Sequence, residues 1–311
     1  MQSNDLSAFD GTIVKGVGGL YSVRRGDGHL VFAKPRGLFR KKRIVPTVGD
    51  HVLVSPTGDP DIPYIIDTIS PRRNLLMRPP IANVDVLFLT FSTRQPVPYY
   101  ELLDKLIILC KKNNIHPVIW ITKMDLNPRE GNHFKSVYEK IGFDVYATTH
   151  TDPIDAETMS HYFDGQTVGF AGQSGVGKST LCNMLTGINE REVGKISERL
   201  NQGKHTTRHV ELFPFKNGYL IDSPGFTNLD ILQAQIDIED IMRGYPEIAA
   251  LSDQCQFADC LHLGEKGCAV EHISMDPGRL ERYRAFINEA KKFTYNQNTQ
   301  KENQHVRKNR C

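Results

Sequence analysis

The stretch V-G-F-A-G-Q-S-G-V-G-K-S-T, residues 168–180, decides the fold. A short apolar run ends at Ala171, Gly172 and Gly177 bracket a turn, and Lys178, Ser179 and Thr180 open a helix-forming segment. G-x-x-x-x-G-K-[ST] between a strand and a helix is a phosphate loop. Its chemistry lies in the backbone. The N–H groups from Gly172 through Gln173, Ser174, Gly175, Val176 and Gly177 can turn inward around phosphates, and the helix N-terminus adds partial positive charge. Lys178 is then expected on the β- and γ-phosphates and Ser179 on Mg²⁺. A glycine-rich turn capping an ordinary helix would carry the same bare pattern, but the strand in front and the helix behind favour a nucleotide.

Outward from this loop the chain alternates. Residues 84–91 read as a strand, 99–112 as a helix with a Glu101/Lys105 pair, 117–121 as a strand, 128–141 as a helix and 143–147 as a strand. A helical segment is expected over 155–163. The alternation predicts a mainly parallel sheet with helices on both faces. Thr122-Lys123-Met124-Asp125 follows one of these strands directly. An aspartate there can accept hydrogen bonds from guanine N1–H and the 2-amino group, neither of which adenine offers. The stem of Lys123 can lie over the base. Thr122 stands where the common form of this motif has Asn and is expected to lose an amide contact. Ala147 and Thr148 are candidates to offer backbone N–H groups to the guanine O6.

On the other side of the phosphate loop, Asp222-Ser223-Pro224-Gly225 closes a strand over 218–221 and matches D-x-x-G. Asp222 would hold a Mg²⁺-bound water and the Gly225 N–H would sense the γ-phosphate. The preceding G-K-H-T-T-R-H, residues 203–209, offers Thr206 or Thr207 to complete the metal's coordination. Phe226 follows D-x-x-G where many small GTPases carry a water-orienting glutamine, so slow intrinsic hydrolysis is expected.

The first 70 residues read differently. Five short strands punctuated by Gly, Pro and Asp predict a small antiparallel barrel of the oligonucleotide-binding (OB) type. Between the third and fourth strands, Arg36, Arg40, Lys41, Lys42 and Arg43 surround Phe39. Basic residues with an aromatic among them suit phosphate contact and base stacking. As a charge run alone, the same residues fit a solvated hairpin tip. A net charge of +2 confines any nucleic-acid contact to such local patches. Residues 71–80 read as a linker. The N-terminus lacks a signal-peptide layout and no apolar run reaches membrane length, so a cytoplasmic location with no membrane partner is expected.

Past Phe226 the pattern turns helical, interrupted by Cys255, Cys260, His262 and Cys268 in the spacing C-x₄-C-x-H-x₅-C. Three thiolates and one imidazole make a closed tetrahedral Zn²⁺ site of the structural kind. Three cysteines cannot all pair as disulfides, and the cytosol disfavours them. Cys110 and Cys182 fall in apolar helical settings and read as small buried hydrophobes. The polar, basic tail after Phe293 reads as disordered. The resulting boundaries are an OB-fold barrel over 1–70, an α/β P-loop GTPase domain over 71–228 and a helical zinc-binding domain over 229–311.

The order of motifs is unusual: the guanine motif precedes the phosphate loop, so the GTPase sequence is circularly permuted. With the barrel before it and the Cys/His cluster behind it, the chain resembles the RsgA family, also called YjeQ or YloQ, over nearly its whole length. The resemblance implies slow GTP hydrolysis stimulated by the small ribosomal subunit in late maturation of that particle. It implies GTP/GDP, Mg²⁺ and one structural zinc as ligands, with the small subunit and its 16S rRNA as partners. Other assembly factors and a monomeric state are further expectations. His205 matches a histidine of the family's G-x-H-T-T element and is a candidate to orient the attacking water. Contact with rRNA or ordering of its loop are alternative roles. The alternative function is a nucleotide-regulated RNA-binding protein without a ribosomal role. Because Phe226 leads almost at once into the zinc region, hydrolysis is expected to shift that region against the sheet.

Overall fold

The computed structural model describes residues 7–149, 152, 157–186, 210–222, 234–272 and 275–308, with the side chains of Thr186, Asp222 and residues 293–308 outside that description. The N-terminal strands are β1 (Phe9–Val17), β2 (Leu20–Arg25), β3 (Leu30–Pro35), β4 (His51–Pro56) and β5 (Tyr64–Ile69). They pair in the order β1-β2-β3-β5-β4 and close through β1–β4, with β3 and β5 parallel, as an OB-type barrel. Register shifts at Ile13/Lys15 and Leu53/Val54 supply the bends that closure needs. Alternation along the strands places Ile13, Val23, Ala33, Val54 and Ile66 wholly inside.

A helical turn, α1 (Gly37–Lys41), fills the long connection between β3 and β4 and inserts Phe39 into the barrel core. The expectation that Phe39 stacks on bases is thereby corrected. A barrel this small has an open end, and an aromatic nearby in sequence plugs it. Arg40, Lys41, Lys42 and Arg43 are left exposed, and Arg36 pairs with Asp67 at 2.7 Å.

Residues 71–80 are not a linker. A hairpin of β6 (Leu75–Met77) and β7 (Pro80–Ala82) buries Leu76 and Ile81. Arg72 makes a two-pronged pair with fully buried Asp50, at 2.7 and 2.8 Å. Asn83 donates to Gly49 O at 2.8 Å, and a Cβ at Gly49 would stand 2.1 Å from Ala82 O. The segment reads as a linker because partners that order it, Asp50 and Gly49, lie in the preceding barrel.

The α/β unit follows the expected alternation: β8 (Val86–Ser92), α2 (Tyr100–Lys112), β9 (His116–Thr122), α3 (Pro128–Lys140), β10 (Asp144–Ala147), β11 (Thr167–Ala171), α4 (Lys178–Thr186), β12 (Glu211–Phe215) and β13 (Gly218–Asp222). The strand order is β10-β9-β8-β11-β13-β12, parallel except for β12. The proline of E-L-F-P-F conceals β12 in the sequence; the strand tolerates Pro214 at the edge, where it meets only β13 and a single pairing, Lys15 with Glu211, from β1. Within 155–163 the described residues hold a 3₁₀ turn, Ser160–Tyr162.

The C-terminal module comprises α5 (Ile238–Arg243), started by a capping box between Asp237 and Asp240, then α6 (Pro246–Ala249) and α7 (Pro277–Lys308). Up to Lys308 the segment expected to be disordered continues α7: once a helix is nucleated, polar residues extend it at little cost. The module sits on α2, whose Ile108 belongs to its core with Tyr245, Ile248, Phe286 and Ile287. At the contact lies Asp104, fully buried and bonded to Arg279 (2.5 Å), Arg282 (2.5 Å), Tyr138 (2.9 Å) and Tyr245 (3.1 Å).

Candidate nucleotide and metal sites

The C-terminal ends of β9, β11 and β13 converge at one edge of the sheet, the edge where open α/β folds bind ligands. Gly172 leaves β11 at φ +132°, and a Cβ there would fall 2.0 Å from Thr90 O, so the phosphate loop can approach β8 only through glycine. Val176 is buried, Gln173, Gly177 and Ser179 are half-buried, and Ser174, Gly175 and Thr180 are exposed. Lys178 folds back over the loop and donates to Gly172 O at 3.0 Å and Gln173 O at 2.6 Å. Burial pushes its ammonium down to about 8. A cation held by carbonyl oxygens in a partly dry cradle is a receptor for an anion.

The guanine motif is fastened to this loop. Thr122 Oγ1 lies 2.6 Å from Val176 O and 3.2 Å from Phe91 O; its single proton serves the shorter bond. Threonine at the usual asparagine position has no amide to offer, but its hydroxyl keeps a link to the phosphate loop. Lys123, at φ +57°, donates to Gly175 O at 2.9 Å and to Gln95 O. Met124 packs on Gly131, where a Cβ would stand 2.3 Å from the Met124 sulfur. Asp125 is exposed in the 3₁₀ turn Met124–Leu126. Met124 N donates to Thr148 O at 3.1 Å, so the end of β10, with Ala147, borders the motif. Asp222 ends β13, and the β11 pairing Val168↔Leu220 sets that strand beside the phosphate-loop strand. His205, Thr206, Thr207, Gly225 and Phe226 lie outside the described residues. Sequence reading missed loop 93–99, which holds both motifs through Thr93, Gln95 and Tyr99; its bonds are mostly made by backbone atoms and leave no signature in residue type.

In the C-terminal module, Cys255, Cys260, His262 and Cys268 bring their donor atoms within 4.8 Å of one another. His262 Nδ1 faces the sulfurs at 3.5, 3.7 and 3.4 Å in that order, while Nε2 turns to Ser252 Oγ at 3.4 Å. His262 is fully buried at φ +60°. Burial pushes the Cys260 thiol up to about 12 and the imidazole below its ordinary value, so without a cation these two donors stay neutral. Glu265, absent from the motif as read, orders the loop by accepting from Leu261 N at 3.2 Å and Leu263 N at 2.6 Å. Ala269 N donates to Cys255 Sγ at 3.4 Å, support suited to a thiolate. From α7, Arg284 donates to His262 O at 3.0 Å and Tyr283 to Leu261 O at 3.2 Å. The cluster could hold one four-coordinate metal ion.

Among the described residues, no helix is long and apolar enough to cross a membrane. The family model described as RsgA GTPase matches residues 69–232, and that of the RsgA N-terminal domain matches residues 10–61. The small ribosomal subunit biogenesis GTPase RsgA of Bacillus velezensis is 39% identical over 293 residues, covering 91% of this chain and 97% of the relative. That of Bacillus subtilis is 39% identical over 283 residues, covering 88% and 93%. Among solved structures, the circularly permuted GTPase YloQ aligns with a TM-score of 0.75 at 34% identity over 94% of this chain and 98% of its own. YjeQ from Thermotoga maritima aligns at 0.74 and 29% identity, covering 91% and 99%.

Proposed function

The chain belongs to the RsgA GTPase family, and from that premise we propose that it hydrolyses GTP slowly, assists late maturation of the small ribosomal subunit and is stimulated by that particle. One observation carries the nucleotide half of this reading. The guanine motif and the phosphate loop, 54 residues apart at Thr122 and Val176, are joined by a direct hydrogen bond despite the permuted order. Their union supports a site that reads base and phosphates together.

In this reading Asp125 selects guanine through N1–H and the 2-amino group, with a backbone N–H near Ala147 for O6. Lys178 exchanges its two carbonyl partners for β- and γ-phosphate oxygens. Ser179 and one of Thr206 and Thr207 would hold Mg²⁺, with Asp222 on a metal-bound water, and the ion would supply positive charge beside the phosphates. Gly225 bonds the γ-phosphate and His205 orients the water, a role Phe226 has no polar atom to fill. The metal of the Cys₃His cluster is assigned as zinc. Tetrahedral bonds of about 2.3 Å to sulfur and 2.0 Å to nitrogen require S···N separations of about 3.5 Å, and the three observed values span 3.4 to 3.7 Å. The ion is structural, because four protein ligands leave no open position.

For 16S rRNA, the exposed run Arg40 to Arg43 supplies phosphate contacts. The stacking ring is Phe32, 54% exposed on β3, with Leu30 and Lys34 two residues to either side on the same face and Arg24 paired opposite Leu30. OB-folds bind oligonucleotides on this face of strands 2 and 3.

The direct test is to titrate GTP against ATP and to measure hydrolysis with and without purified small subunits. Preference for GTP with subunit-dependent turnover is expected; equal affinity for ATP, or no effect of the subunit, refutes the reading. Lys178 adds a pH signature. Phosphate raises its pKa, so above about 8 binding must take up a proton. GTP affinity should stay flat near neutrality and then fall by up to about tenfold per pH unit on the alkaline side.

A further inference from the structure

Loop 93–99 joins β8 to α2 and runs along the phosphate loop. Thr93 N donates to Thr122 O at 3.2 Å, Thr93 Oγ1 to Lys123 O at 2.6 Å and Ser92 Oγ to Pro96 O at 2.8 Å. Lys123 Nζ bridges Gln95 O and Gly175 O, and Tyr99 N donates to Gln173 Oε1 at 3.0 Å. Pro96 and Pro98 restrict the backbone further. The loop is thus fixed to the guanine motif at one end and to the phosphate loop at the other.

The side chains of Arg94, Val97 and Tyr99 face outward. Val97, at 77%, is the most exposed large apolar residue among those described, and Tyr99 is 45% exposed. Arg94 is exposed and has no ion-pair partner among the described residues. No acidic residue occurs from Thr93 to Tyr100, so the local charge selects an anionic partner. Arginine suits a phosphate and an exposed tyrosine suits the face of an unpaired base, the pairing by which proteins hold single-stranded RNA.

The geometry points to loop 93–99 as the contact through which RNA of the small subunit accelerates GTP hydrolysis. Arg94 takes a phosphate, Tyr99 stacks on a base and Val97 packs beside it. RNA seated here bears on Gln173 and Gly175 through the bonds given above, and so on the backbone that surrounds the phosphates. The inference rests on the reading that the subunit stimulates the enzyme.

The test combines Arg94→Ala and Val97→Ser in the full chain and measures turnover at saturating GTP with and without small subunits. Nucleotide affinity and unstimulated turnover should stay within about twofold of the parent, while the stimulated rate falls about tenfold or more. Equal stimulation of parent and variant overturns the proposal and leaves the proposed function standing. Absence of stimulation in the parent overturns both. Weakened GTP binding in the variant also overturns it, by assigning these side chains to the nucleotide. A second experiment places the photo-crosslinker p-benzoylphenylalanine at position 97. Crosslinks to RNA in the subunit complex support the proposal; crosslinks to ribosomal protein alone, or none, overturn it.

Discussion

The two modules that flank the α/β unit are attached in opposite ways. The barrel is held by polar pairs between residues close in sequence: Arg72 with Asp50, Arg73 with Asp85, Asn83 with Gly49 and Asn74 with Val84 are separated by 22, 12, 34 and 10 residues. The C-terminal module is held by groups far apart, Asp104 meeting Arg279 across 175 residues and Tyr245 across 141. Exposure differs too: the side chains of Arg72 and Arg73 are 22% and 58% exposed, those of Arg279 and Asp104 1% and 0%. Water reaches the arginines Arg72 and Arg73 of the first attachment, although Asp50 and Asn83 are buried there, and is excluded from Arg279 and Asp104 in the second. A buried ion cluster tolerates no partial loss, because removing one member strands the others. This weighs against the expected sliding of the zinc region against the sheet; a displacement of that module would have to carry α2 with it.

Breaking the C-terminal side should have the larger effects. Removing the metal with a strong chelator, or by Cys268→Ser, forfeits apparent binding energy on the order of 10 kcal/mol. Elemental analysis should show one zinc lost and circular dichroism a loss of helix, with the fluorescence of Trp120, the sole tryptophan and part of the sheet core, little changed. Retention of all helical signal after metal loss would show that the ion is dispensable.

Asp104→Asn comes next. It leaves Arg279 and Arg282 without their shared carboxylate and should cost about 3–5 kcal/mol in urea unfolding. A cost under about 1 kcal/mol, the range of exposed pairs, would erase the distinction between the two attachments.

On the barrel side, Arg72→Ala strands buried Asp50, which keeps only the Thr47 N–H at 2.7 Å among its other bonds to the backbone. The loss should be about 2–3 kcal/mol, seen as earlier barrel unfolding. Lys15→Ala removes the 2.7 Å pair with Glu211 between side chains 37% and 25% exposed, and should cost about 0.2–1 kcal/mol, less at high salt. A double-mutant cycle giving more than this would make the β1–β12 edge a true structural link.

Sequence alone determined whatever depends on neighbours along the chain. The phosphate loop, the guanine motif and the Cys/His spacing are local patterns whose chemistry follows from residue type, and strand and helix periods marked nearly every element that carries them. Tertiary structure decided what depends on distant partners. Phe39 is an aromatic among basic residues until the barrel folds around it, and residues 71–80 look like a linker until Asp50 and Gly49 meet them. Thr122 reads only as a lost amide contact until the fold brings Val176 O within 2.6 Å of its hydroxyl. Asp104 carries no mark in the sequence, since nothing near it announces two arginines from α7. The physical reason is common to all four: a side chain's own chemistry is local, but its burial and its hydrogen-bond partner are set by which segments the fold brings together.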